Sequence, residues 1–141
     1  MAVIVFVNLQ AECGSSPSED VLRRAGCDVL VVTRAEEAPA LAADQRLALI
    51  VLRACGTAAD VSHACRTIRS HPLTRRVPVL VMTRVDDIYT RDQLVRAGAT
   101  AILVEPPRPA LLLRQLRRLT RRDSAASAVV TDQPPSTALE A

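Results

Sequence analysis

The side chains with the most chemical potential in this chain are its arginines. All 18 basic residues are Arg, and Lys is absent. Without a side-chain amine no Schiff base can form. A Walker-type phosphate loop is also excluded, because it needs Gly-Lys-Ser/Thr. Soft metal chemistry has little to work with. Cys13, Cys27, Cys55 and Cys65 are spaced by 14, 28 and 10 positions, with no Cys-x-x-Cys, and His63 and His71 do not complete a zinc pattern. Reduced, mostly structural thiols are expected, with Cys65 in the core. Cys13 and Cys55 fall on loops, where a regulatory disulfide is conceivable but unreactive small residues are the simpler reading. One Phe, one Tyr and no Trp exclude a base-stacking platform for single-stranded nucleic acid.

The formal charge of +3 hides an asymmetry. Residues 123–141 contain Asp123, Asp132 and Glu140 and no Arg, for −3, so residues 1–122 carry +6. Arg108, Arg114, Arg117, Arg118, Arg121 and Arg122 crowd one segment. Such a cluster can meet phosphates or acidic partners, although a solvated helix face is the plainer reading.

These side chains must be held by a scaffold, and its elements are legible. Val3–Val7, Val29–Val32, Leu47–Leu52, Val77–Met82 and Ala101–Val104 are short apolar runs of the kind that form buried strands. Between them lie helical patterns. Ser16-Pro17-Ser18-Glu19 reads as a capping box with Pro at the first helical position, and that helix stops at Gly26. Helices are expected over Ala35–Ala43, Ala58–Ser70, from Asp86 or Asp87 to Ala97 before Gly98, and over Pro109–Arg122. Asp60 reads as a helix-start residue, while His63 and His71 read as solvent-facing. The order (βα)₅ implies an α/β fold with a doubly wound, five-stranded parallel sheet covered on both faces. Residues 123–141, rich in Ser, Ala, Thr and Pro, read as a flexible acidic tail or linker after a single domain over 1–122. No apolar run approaches a membrane span, and Met1–Val7 lacks the features of a signal peptide, so a cytoplasmic protein is expected.

In such a sheet, ligands and chemistry sit at the carboxyl ends of the strands. The residues there are Asn8 and Leu9 after the first strand, Arg53 after the third, Thr83 after the fourth and Glu105-Pro106 after the fifth. The single Gly14 in the first loop does not make a phosphate cradle, which argues against a flavodoxin-like enzyme.

Three stretches then resemble the receiver domain of bacterial response regulators. They are Leu47–Leu52 leading to Asp60, Thr74–Thr83 with Pro78 inside it, and Ala97-Gly98-Ala99-Thr100-Ala101-Ile102-Leu103-Val104-Glu105-Pro106. The resemblance spans about residues 2–121 and implies strand order 2-1-3-4-5. In that family two acids after the first strand and an acceptor Asp after the third hold magnesium, and a Thr/Ser and a Lys bind the phosphoryl oxygens. At those positions this chain has Asn8 and Leu9, Arg53, Thr83 and Glu105, and the switch position of the fifth strand is Ile102. Leu9 offers magnesium no oxygen, and a permanent cation at 53 repels the metal and cannot act as a carboxylate nucleophile. Magnesium binding is therefore not expected. Glu12, one carboxylate beside an Arg, does not repair the site. The family's signs are exchanged, Arg53 against Glu105, and a reversed salt bridge across the old site is expected. The resemblance also allows a cis bond before Pro106.

The resulting expectation is a pseudo-receiver, not an enzyme, that acts by protein–protein interaction in two-component signalling. Its partner would be a histidine kinase, a receiver or an output domain. The contact face would be the fourth helix, fifth strand and fifth helix, with Arg91, Arg96, Arg114, Arg117 and Arg118 on it, and homodimerisation there is also expected from the resemblance. Two alternatives remain: phosphorylation at a displaced carboxylate, and binding of nucleic acid or an acidic partner by the Arg-rich last helix. The acidic tail and the lack of a base-reading motif disfavour nucleic acid.

Overall fold

The computed structural model describes residues 2–9, 16–54, 58–84, 87–105 and 107–124, with side chains omitted at 54, 58 and 121–124. Glu12, Cys13, Cys55, Asp86, Pro106 and the segment 125–141 lie outside the described residues, and with them the two loop cysteines, the peptide bond before Pro106 and most of the tail.

Ten elements alternate along the chain: β1 (Val3–Asn8), α1 (Pro17–Arg24), β2 (Asp28–Val32), α2 (Glu37–Asp44), β3 (Leu49–Ala54), α3 (Ala58–Ser70), β4 (Val79–Thr83), α4 (Ile88–Ala97), β5 (Ala101–Val104) and α5 (Pro109–Ser124). The five strands form one parallel sheet in the order β2-β1-β3-β4-β5. This is the expected doubly wound, flavodoxin-like topology.

Strand side chains alternate between two cores, as the period of two demands. Val5, Val7, Ile50, Leu52, Val79, Val81 and Ile102 pack under α2, α3 and α4 with Val61, Cys65, Ile68 and Leu94. Ile4, Phe6, Leu49, Val51, Leu80, Met82 and Leu103 pack under α1 and α5 with Leu22, Leu112, Leu116 and Leu119. Cys65 is fully buried, and burial raises its thiol to about 11 against the opposing pull of Arg69 and Arg66.

The helix ends follow local chemistry. Ser16 and Glu19 close the capping box on α1, and Asp87, rather than its neighbour at 86, caps α4 by accepting from the Thr90 amide at 2.7 Å. Gly26 and Gly98 hold φ of 91° and 114°, the left-handed region that stops α1 and α4. α2 begins two residues later than the apolar pattern suggests, because Ala35 sits in a turn with the Ala38 amide on its carbonyl. β3 and β4 are displaced toward their carboxyl ends relative to the apolar runs. Pro78 cannot donate to a ladder, and the Val77 amide closes a turn on Thr74, so β4 starts at Val79. At the other end Arg53 is a strand residue, in register with Asn8 on one side and Met82 on the other.

Candidate functional site

Parallel strands of similar length end together, so their last residues form one polar edge. Asn8 ends β1, Arg53 lies one residue from the end of β3, and Thr83 ends β4. Glu105 follows β5 directly, and its amide donates to the Thr83 carbonyl at 2.8 Å. Asn8, Arg53 and Thr83 are all buried. Leu9 leaves this group and packs, half-buried, against the α2–α4 core.

The centre of the edge is an ion pair. Arg53 Nε donates to Glu105 Oε1 at 2.6 Å, and each side chain is only 6% exposed. The expected reversed salt bridge is therefore present in the geometry, spanning from β3 across β4 to the residue after β5. That separation is two strand spacings, roughly 10 Å, which a long Arg side chain can cross. The second carboxylate oxygen, Glu105 Oε2, is buried and has no hydrogen-bond partner among the described residues. Arg53 and Thr83 make further interactions beyond those named.

Such a pair ties loops together more than it stabilises the fold. Two desolvated charges roughly cancel their own attraction, yet removing one partner leaves the other buried and uncompensated. The edge is thus held in one arrangement by a bond that costs much to break and little to keep.

The five residues proposed for the contact face are distributed over two sides of the sheet. Arg91 and Arg96 belong to α4, which covers the face shared with α2 and α3; Arg96 is exposed and pairs with Asp92 at 2.9 Å, while Arg91 is half-buried. Arg114, Arg117 and Arg118 belong to α5 on the opposite face; the first two are exposed and the third is half-buried. The two helices flank the open edge of β5, where Val104 is exposed.

The remaining sequence-level candidates are less remarkable in place. Asp60 sits in the first turn of α3, and His63 is exposed as expected. His71 departs from expectation: it is half-buried, and its Nδ1 accepts the Leu73 amide at 3.1 Å, closing the turn after α3. Cys27 is half-buried, and burial pushes its thiol up.

Sequence reasoning missed a second engaged arginine. Arg69, near the end of α3, donates from Nε to the Gly98 carbonyl at 3.0 Å. Its Nη1 donates to the carbonyls of Arg75 and Val77 at 2.8 and 2.6 Å, and its Nη2 to Thr100 Oγ1 at 3.0 Å. Burial lowers its guanidinium below the usual range. Nothing in the spacing ties position 69 to position 98; only the packed fold does. Gln115 on α5 was missed as well: it is fully buried, and both amide atoms lack partners among the described residues.

No family model matches the chain. Among curated proteins it is similar to the response regulator PleD of Caulobacter vibrioides, 32% identical over 82 residues, which is 58% of this chain and 18% of that protein. The chain thus spans about a fifth of the length of the curated relative it matches. Among solved structures, a protein of Chloroflexus aurantiacus assigned as a response regulator superposes with a TM-score of 0.73 and 26% identity, covering 86% of this chain and 98% of that one. The receiver domain of a sensor histidine kinase from Pseudomonas aeruginosa, with magnesium coordinated in its active-site cleft, superposes with a TM-score of 0.70 and 27% identity, covering 85% and 98%. These comparisons support a receiver domain of the response-regulator type. No helix of the described residues is long and apolar enough to cross a membrane.

Proposed function

We propose that this chain is a phosphorylation-independent receiver-like signalling module that works by protein–protein interaction. One observation carries the reading: where the resemblance calls for an acceptor carboxylate there is Arg53, and its guanidinium is bound to Glu105 at 2.6 Å. A permanent cation cannot accept a phosphoryl group, and it opposes a divalent cation placed beside it. The donor set does not suit magnesium either. Of the described residues at this edge only Glu105 is a carboxylate, and one of its oxygens is taken by Arg53; magnesium wants several oxygens in octahedral array. The module would answer to partner binding or abundance. A histidine kinase, another receiver or an output domain is the class of partner, with a second copy of the chain as a further one. No catalytic residue is assigned, and a cytoplasmic site of action is part of the reading.

One specific feature favours a rival. Glu105 Oε2 is buried and has no partner among the described residues, with Thr83 beside it on the neighbouring strand end. A displaced acceptor there would attack an acyl phosphate through Oε2, form an acyl-phosphate bond on Glu105 and release the donor's carboxylate. The deciding experiment is incubation of the full chain with acetyl phosphate and magnesium, followed by intact mass. Unchanged mass is expected. An added phosphate that disappears in Glu105→Gln would overturn the proposal and establish the rival.

A further inference from the structure

The last helix is divided sharply by charge. Leu112, Leu116 and Leu119 are buried against the sheet. At 3.6 residues per turn, Arg114, Arg117 and Arg118 fall within an arc of about 100° centred on the opposite side of the helix. Arg114 and Arg117 are exposed and have no ion-pair partner among the described residues. Arg118 is half-buried and already engaged. Like charges three and four residues apart repel and destabilise an isolated helix. The stripe does nothing for α5 itself beyond complementing the negative end of its dipole.

From this we infer that the outward face of α5 is a docking surface for an acidic helical segment of a protein partner. The inference rests on the interaction-module reading and supplies the chemistry of its partner. Charge complementarity sets the sign. Size then selects the class. From 114 to 118 the stripe is about 6 Å long, and it can neutralise no more than about three phosphates, fewer than the six to ten of a substantial duplex contact. The chain also lacks aromatics for bases to stack on: Phe6 is fully buried, and Tyr89 is on α4. A partner helix with Asp or Glu at i, i+3 or i+4, and i+7 presents carboxylates at the same 5.4 Å repeat. Each can then meet a planar guanidinium fork.

The test uses the full chain and a fluorescein-labelled helical peptide carrying Glu along one face, read by fluorescence anisotropy. A duplex DNA of equal net charge serves as competitor. The peptide should bind, more weakly as salt rises. Arg114→Glu with Arg117→Glu should weaken it about tenfold. Arg34→Glu with Arg66→Glu changes the net charge equally away from α5 and should weaken it less than about twofold. Arg114→Gln with Arg117→Gln should lie between, which guards against a reversal that perturbs folding. Equal losses in both reversal pairs would reduce the effect to net charge and overturn the inference. So would no peptide binding, or a duplex that competes as well as unlabelled peptide. The phosphorylation assay is unaffected by any of these outcomes, so the two readings fail separately.

Discussion

Two engaged arginines hold opposite ends of this sheet, and they do it by different means. Arg53, at the carboxyl-terminal edge, faces one carboxylate across β4. Arg69, at the other end, faces three carbonyls and a hydroxyl, all neutral. The Arg69 clasp needs no opposite charge, because several dipoles share one delocalised cation and the side chain keeps contact with water. Arg53 is more deeply enclosed, and the carboxylate it meets has a second oxygen without a partner among the described residues. The first arrangement suits a fixed structural corner. The second joins two opposite charges out of water, and it is the more vulnerable to loss of one partner.

That contrast is broken most directly at Glu105. Glu105→Ala takes the carboxylate away from the buried Arg53 guanidinium and should cost about 3–5 kcal/mol. Urea unfolding would show it as a lowered midpoint at unchanged slope. A loss below about 1 kcal/mol would mean that Arg53 swings out to water and that the edge is not locked.

Arg69→Ala should cost less, about 2–3 kcal/mol, because each carbonyl it leaves behind loses only a share of the cation and some can turn to solvent. Gly98 reports on the same corner. A Cβ there would lie 2.6 Å from Arg69 Cγ, on a backbone at φ 114°. Gly98→Ala therefore combines a clash with strain and should cost about 1–3 kcal/mol. Combined with Arg69→Ala it should cost less than the two single losses together, since the side chain it strikes is gone.

The charge on Arg69 also reaches Cys65, one turn earlier on α3, where it partly offsets the burial that lifts the thiol to about 11. The sign is set by which state ionises first. The unfolded thiol, at its ordinary 9.0, loses its proton before the buried one does. Stability from this group is whole below pH 9 and falls between about 9 and 11, by roughly 3 kcal/mol in all. Cys65→Val should remove that part of the pH dependence in urea melts taken across the window. An identical pH profile in the variant would show that the thiol is not the titrating group.

How much of this was readable beforehand depends on whether a feature is local or tertiary. The alternation of strands and helices, the helix caps and the two glycine stops follow from runs and punctuation in the chain, and they stand close to where the residues put them, while the order of strands in the sheet came with the resemblance. The Arg53–Glu105 bridge was legible because the alternation of strands and helices puts both residues at the carboxyl edge and the resemblance marks their signs as exchanged; their 52-residue separation says nothing by itself. The missed features are tertiary. β3 looked finished at Leu52 because Arg53 is polar, yet in-register neighbours on both sides keep it in the ladder. Arg69 and Gln115 carry no local signal; packing between elements encloses them.

The buried pair can also be removed whole. Arg53→Met with Glu105→Leu deletes both charges and keeps apolar volume, so it should leave stability within about 1 kcal/mol of the parent or raise it. The double variant measured beside Glu105→Ala separates the worth of the pair from the penalty of an orphan charge. A double variant as unstable as the single would mean that the pair itself carries the stability.

The smallest effect sharpens the comparison furthest. Arg96 and Asp92 are 2.9 Å apart, almost as close as Arg53 and Glu105, and sit at i, i+4 on α4. Distance alone would rank the two pairs together. Exposure separates them, since water screens Arg96 and Asp92 and either can be rehydrated at once when the other is lost. Arg96→Ala should therefore change stability by about 0.5 kcal/mol or less, and added salt should shrink even that. Glu105→Ala should keep its full cost in the same salt series, because ions do not enter the dry edge. If both losses shrank together with salt, the Arg53–Glu105 pair would be behaving as a surface contact, and the locked edge on which the proposed function stands would be lost.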